Sequence, residues 1–338
     1  MLSQSQRAII QRAKTLGGGE QGVALDDERC VALLAVVMRD LECLEAFPEL
    51  PKDLPDFFDV DPPDSLRLAG FDLFRLFERA VRLNADADTY FACLATLHKS
   101  RLKYRRILEV QPIPTVDQVG PRALLQYGPF PPRELAAFLF WRKWMFEIDN
   151  RAAQETGYLF EPIIASAVGG VPASARQSPV RRREDPSKGR QVDCIRDNLA
   201  YEVKLRVTIA ASGQGRWQEE MDFPQDCVAS GFVPVLVVFD ATPNPKLTEL
   251  RNAFVEVGGA AYVGDDAWLH LEAAAGPTMA LFLDRYVRSP LDDLLRQMPT
   301  ELPDLTLSMT AEAVVFKIAD FRHTVPRLAN LGDVAQGD

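Results

Sequence analysis

The chain is poor in the residues that most metal and redox chemistry uses. Three histidines (His98, His270 and His323) are scattered over 338 residues, so a histidine-built metal cluster is not expected. The one H-x-E, His270-Leu-Glu272, has no later PCxxC and so lacks the rest of a zinc-deaminase signature. Five cysteines (Cys30, Cys43, Cys93, Cys194, Cys227) include no CxxC pair, which favours buried reduced thiols over disulfides or zinc. Long apolar runs are missing too. The richest, AAFLFWRKWMF (136–146), is broken by two cations and falls short of the roughly 18 residues of a membrane span. The opening MLSQSQRAIIQRAK shows no apolar stretch leading to a cleavage site, so the expected location is the cytoplasm. A net charge of −10 excludes a body coated in base for indiscriminate polyanion binding.

What is present is enough apolar material, 47% of residues, for one large or two medium cores. Residues 1 to about 110 read as helices. ALDDERCVALLAVVMRDLECLEAF and DSLRLAGFDLFRLFERAVRLN carry apolar residues at three- and four-residue spacing, with Asp26 and Asp64 as N-caps. The Pro- and Gly-rich stretch 111–132 is the expected boundary between a helical N-terminal region, 1–128, and a second part, 129–338. A helix is expected from Pro132 to about Glu155 and another over Tyr158–Val168. Then the texture changes. RQVDCI and LAYEVKLRVTI read as strands around Asp197-Asn198, and FVPVLVVFDA as a buried strand. A helix over Arg216–Ser230, with a break near Pro224, lies between them. PKLTELRNAFVEV reads as a helix, AAYVG as a strand, and TMALFLDRYV and PLDDLLRQM as closing helices. The alternation predicts an α/β fold, a mixed sheet flanked by helices, behind an all-helical N-terminal region.

Glu202-Val-Lys204 is the only [DE]-x-K in the chain. Composition alone predicts about one, so the spacing by itself carries nothing. Geometry adds weight. With Asp197 and Asn198 as the central pair of a turn, Arg196 faces Leu199, Cys194 faces Tyr201, and Asp193 faces Glu202. Opposed side chains share a face, and Lys204, two residues on, shares it as well. Two carboxylates set opposite each other repel, while Cys194, Tyr201, Val203 and Leu205 point the other way, toward a core. Such a patch accommodates a cation. Hard oxygen donors suit Mg²⁺, with Mn²⁺ able to substitute, and Lys204 could balance charge or act on an attacking water. These are the parts for metal-assisted phosphodiester hydrolysis. The alternative is a solvated edge hairpin, and a three-residue turn would flip Asp193 to the other face.

Asp193 followed by Glu202-Val-Lys204 on the next strand resembles the PD-(D/E)XK nuclease superfamily, over about residues 150–245. Val192 stands where the proline of that name would be. The chain length and KLRVTIAASGQG most resemble type II restriction endonucleases of the ApaLI-like group. The resemblance implies a restriction-endonuclease-like core in which Asp193 and Glu202 bind Mg²⁺ and Lys204 acts on the water. It also implies a metal-binding glutamate on the preceding helix, for which Glu161 in GYLFEPIIASAVGG is the candidate. Pro162 leaves an N-cap or ion-pair role for Glu161 equally open. Gln218 or Glu219 would support the site from the following helix. The implied partner is double-stranded DNA, met by a homodimer with one centre per strand.

Two stretches concentrate base. ARQSPVRRREDPSKGR (175–190) immediately precedes the proposed catalytic strand. Arg176, Arg181, Arg182, Arg183, Lys188 and Arg190 could therefore reach phosphates or guanines, and Arg206 could hold the scissile strand. KSRLKYRR (99–106) could clamp flanking DNA or be a solvated helix face. A structure-specific repair nuclease and a non-catalytic DNA-binding protein remain as alternatives to a restriction enzyme.

Overall fold

The computed structural model describes residues 1–17, 21–205 and 214–328. The N-terminal region is helical, as expected: α1 (Gln4–Lys14), α2 (Asp27–Asp40), α3 (Leu73–Leu83) and α4 (Ala87–Val110). Asp26 caps α2, accepting from the Arg29 amide at 2.9 Å. Residues Cys30 through Met38 are all buried, so α2 is a central helix, apolar on every side. Asp64 is not the cap of α3. It lies in a short 3-10 turn, and Asp72 caps the helix by accepting from Arg75 N. Gly70 (φ +86°) breaks the apolar repeat before α3 can start.

A short helix α5 (Val116–Ala123) follows, and then α6 runs unbroken from Pro132 to Ala167. The two helices expected there are one. Pro162 sits inside α6. It has no N–H for the Tyr158 carbonyl, and Tyr158 stands exposed, where water can serve that oxygen. Gly169 (φ +73°) terminates the helix in the left-handed conformation. A Cβ on Gly170 would lie 2.3 Å from Cys194 Sγ, so only glycine lets the chain pass this close to the hairpin.

Five strands form one sheet in the order β1 (Val171–Ala173), β2 (Val192–Arg196), β3 (Leu199–Lys204), β4 (Val233–Val238), β5 (Ala260–Val263). β1, β2 and β3 pair antiparallel, while β3, β4 and β5 pair parallel. The sheet is mixed, as the alternation predicted. Cys194, Tyr201, Val235 and Val237 pack toward α6 and α9 (Asp265–Leu283), in a core continuous with α1–α4. The opposite face, Ala200, Leu236 and Val238, packs on α7 (Gln214–Ala229) and α8 (Pro245–Glu256). α7 is continuous through Pro224, where a break was expected. Helices do not close the chain. After α9, a π turn and α10 (Ser289–Arg296) comes an antiparallel sheet of β6 (Leu305–Met309), β7 (Ala313–Ile318) and β8 (Phe321–Pro326). Val314 of β7 packs with Trp144 and Ile148 of α6. Among the described residues no helix is long and apolar enough to cross a membrane.

Candidate active site

The hairpin has the expected two-residue turn. Cys194 pairs with Tyr201, Ile195 with Ala200 and Arg196 with Leu199, and Asp197 takes a positive φ of 53°, a conformation aspartate tolerates better than most residues. Cys194 and Tyr201 enter the core as expected, and Val203 packs against it, but Leu205, one residue past β3, is exposed. One step beyond the last ladder pair, Asp193 is 7% exposed. Its Oδ2 accepts from the Val203 amide at 2.8 Å. Burial, then Glu202 and Glu161, raise its pKa well above the usual carboxylate value, against the Val203 hydrogen bond and Lys204.

Glu202 and Lys204 meet on one face, Lys204 Nζ lying 3.1 Å from Glu202 Oε1. Burial pulls the Lys204 ammonium down, but Glu202 and Glu220 more than offset it and raise it above its usual range. Glu161, half-buried inside α6, is raised by burial and by Glu202, with Lys204 opposing. Glu161 is thus electrostatically coupled to the hairpin acids from within the helix, not from an N-cap.

The support from the following helix falls on a residue that the sequence reading passed over. Glu220 Oε1 stands 3.3 Å from Lys204 Nζ. Gln218 instead donates to Asp222 at 2.9 Å, and Glu219 pairs with Arg182 at 2.8 Å. One lysine therefore lies among Asp193, Glu161, Glu202 and Glu220, a surplus of negative charge in a poorly solvated place. The donor set, all carboxylate oxygen, suits a hard divalent cation. Even so, among the described residues no three acids, cysteines or histidines are gathered into a ready ligand set. Three of the oxygens are engaged: Asp193 Oδ2 by the Val203 amide, and Glu202 Oε1 and Glu220 Oε1 by the Lys204 ammonium.

The basic loop folds back as a small hairpin and is pinned to α7. Arg182 N donates to Lys188 O at 3.0 Å, and Arg183 N to Asp226 Oδ1 at 2.8 Å. Arg176, Arg181, Arg183 and Lys188 are exposed, and Arg182 is half-exposed. Arg183 reaches Gln225 and Lys188 pairs with Asp185 at 3.0 Å. Arg190 is different. It is buried, its Nε bonds Asp226 at 2.8 Å and its Nη1 the Glu219 carbonyl at 3.0 Å, so its guanidinium anchors the loop and does not face solvent. Arg206 lies outside the described residues, as does the expected extension of β3 to Ile209. KSRLKYRR is neither a free clamp nor a solvated face. Lys99 donates to Arg12 O and Thr15 O, Arg101 to Phe57 O, and Arg106 to Gly22 O, while Lys103 pairs with Glu155 and Arg105 with Glu109. Four of the five staple α4 to its surroundings, and the Arg105–Glu109 pair lies along the helix itself. His270, of the lone H-x-E, stacks on Tyr262 at 3.9 Å, a packing role.

Helix α7 thus holds Glu220 against Lys204 of the hairpin, and Glu219 and Asp226 against the arginine loop. Residues 65–288 match the model of the ApaLI-like restriction endonuclease family. The chain is also 53% identical over 280 residues to the type II restriction enzyme ApaLI of Acetobacter pasteurianus, an overlap of 78% of this chain and 74% of that one. The chain belongs to the ApaLI-like restriction endonucleases. No solved structure matches it.

Proposed function

We propose that this type II restriction endonuclease hydrolyses phosphodiesters of double-stranded DNA, at a specific sequence, from a PD-(D/E)XK-type centre of Asp193, Glu202 and Lys204. The single observation that carries this reading is the Glu202–Lys204 pair at 3.1 Å on the hairpin arm whose Val203 amide holds Asp193, in a chain of the ApaLI-like family. Mg²⁺, or Mn²⁺ in its place, would be held by Asp193 and Glu202 with help from Glu161, and supplies a Lewis acid and an activated water. The protein's own part is to aim the acids and to place the Lys204 ammonium where negative charge grows on the phosphate. The Val203 amide orients Asp193, and the anchored loop presents Arg176, Arg181, Arg182, Arg183 and Lys188 to the backbone or the major groove. Arg190 belongs to this set as the loop's anchor. The helical region 1–128 and the part 129–338 divide the labour as support and chemistry while sharing one core. A homodimer, one centre per strand, suits cleavage of both strands.

The test is digestion of plasmid and phage DNA by the purified protein, with Mg²⁺ against EDTA, followed by sequencing of the ends. Discrete fragments with one shared end sequence are expected only with Mg²⁺. Ends without a common sequence, or cutting confined to branched substrates, would favour a repair nuclease. No cutting with any ion would leave a DNA-binding protein.

A further inference from the structure

Lys204 Nζ is shared between two acids on different elements: Glu202 of β3 at 3.1 Å and Glu220 of α7 at 3.3 Å. Their side chains are 16%, 21% and 23% exposed respectively, so the cluster is largely withdrawn from water. This matters for Glu202. An oxygen that accepts an ammonium N–H cannot offer the same lone pair to a divalent ion, and two cations at that spacing repel. For an ion to take Glu202 through Oε1, the ammonium must give way. A mostly buried ammonium cannot be left without a counter-charge, and Glu220 is the partner already within reach. α7 can hold that partner still, because Asp226 on the same helix is tied to Arg190 and to the Arg183 amide.

We infer that Glu220 is a positioning residue, a second berth that draws Lys204 off Glu202 when a divalent ion enters, clearing the carboxylate and parking the amine alongside. The inference rests on the nuclease reading of this site. Glu220 itself touches neither ion nor DNA; it acts through Lys204. The rival is that Glu220 contributes only one more negative charge, and a thermodynamic cycle separates the two.

Mn²⁺ binding is measured by calorimetry, without DNA, on the wild type, Glu220→Gln, Lys204→Met and the double variant. Glu220→Gln should weaken Mn²⁺ binding about tenfold, and in the Lys204→Met background the same change should cost less than about threefold, since no ammonium needs a berth. Equal cost in both backgrounds would overturn the inference, and so would unaltered affinity in Glu220→Gln. Glu220→Asp, which keeps the charge, should restore most of the affinity. Its failure to do so while folding normally would count against a berth. A wild type that neither binds Mn²⁺ nor cuts DNA with it would sink the nuclease reading together with this one, and one that cuts but binds no Mn²⁺ without DNA would sink the berth alone. A wild type that binds Mn²⁺ and cuts, beside an unshifted Glu220→Gln, would sink the berth alone.

Discussion

The backbone amide of Val203 donates to Asp193 Oδ2 at 2.8 Å, joining the two strands just beyond the last ladder pair, Cys194–Tyr201. The bond aims the acid, while burial, Glu202 and Glu161 disfavour its charge. Asparagine in its place keeps a carbonyl for Val203 and removes one like charge. We expect Asp193→Asn to melt at or above the wild-type temperature, with a gain of up to about 1 kcal/mol, while cutting falls by more than about a hundredfold. Thermal melts paired with plasmid digestion check both halves. Undiminished cutting would remove Asp193 from the centre, and a large loss of stability would mean that its charge was already compensated.

Lys204 carries its charge within reach of Glu202 and Glu220, while the arginine loop is held elsewhere on α7, at Glu219, Gln225 and Asp226. Lys204→Ala should therefore abolish cutting and leave DNA affinity within about twofold, since the phosphate contacts lie elsewhere. Gel-shift titration in Ca²⁺ beside a cleavage assay in Mg²⁺ separates the two quantities. Unchanged cutting would take the amine out of the chemistry.

Arg182 and Arg190 are eight residues apart and should behave differently. Arg182 is half-exposed, and its partner Glu219 is exposed, so a phosphate can replace that pair. Arg182→Ala should weaken DNA binding and lower the slope of log affinity against log salt by up to about one unit. Arg190 is buried against Asp226, and Arg190→Ala leaves that buried carboxylate without a counter-charge, held only by the Arg183 amide, at a cost of about 3–5 kcal/mol. The expected result is a lower melting temperature before any change in salt slope. A salt slope altered by Arg190→Ala at full stability would reverse these assignments.

The hairpin was legible in the sequence because strands have a period of two: one correct turn places every side chain, and Asp197-Asn198 marked the turn. The supporting acid was not legible in the same way. Neighbouring helix positions differ by about 100° in direction, so a choice among Gln218, Glu219 and Glu220 depends on the exact phase of α7 against the sheet, which the tertiary packing sets. Arg190 was unreadable for a related reason: its burial depends on Asp226, 36 residues away. In KSRLKYRR, the acceptors are mostly backbone carbonyls of distant loops, which leave no trace in the side-chain pattern. Pro162 and Pro224 misled because a proline costs a helix one hydrogen bond and some crowding, and packing on both sides of the sheet outweighs that.

His98 on α4 is 1% exposed, and neither ring nitrogen has a hydrogen-bond partner. Phe57 packs edge-on at 5.8 Å. Burial pushes its pKa down to about 4, with Arg101 and Arg29 adding to the effect and Asp64 opposing it. The folded protein thus holds this ring neutral at a pH where the unfolded chain, with a histidine near 6.5, takes up a proton. Stability from a neutral His98 is complete above about pH 6.5 and is lost as the pH falls from there toward 4. Between pH 8 and pH 5 the loss amounts to about 2 kcal/mol. Leucine titrates nowhere and leaves no unpaired nitrogen in the core. His98→Leu should melt at or above the wild type at pH 8, and at pH 5 its advantage should widen by a few degrees. Thermal melts at the two pH values decide it, because parallel pH dependence in both proteins would mean that the wild-type ring finds a partner for its proton.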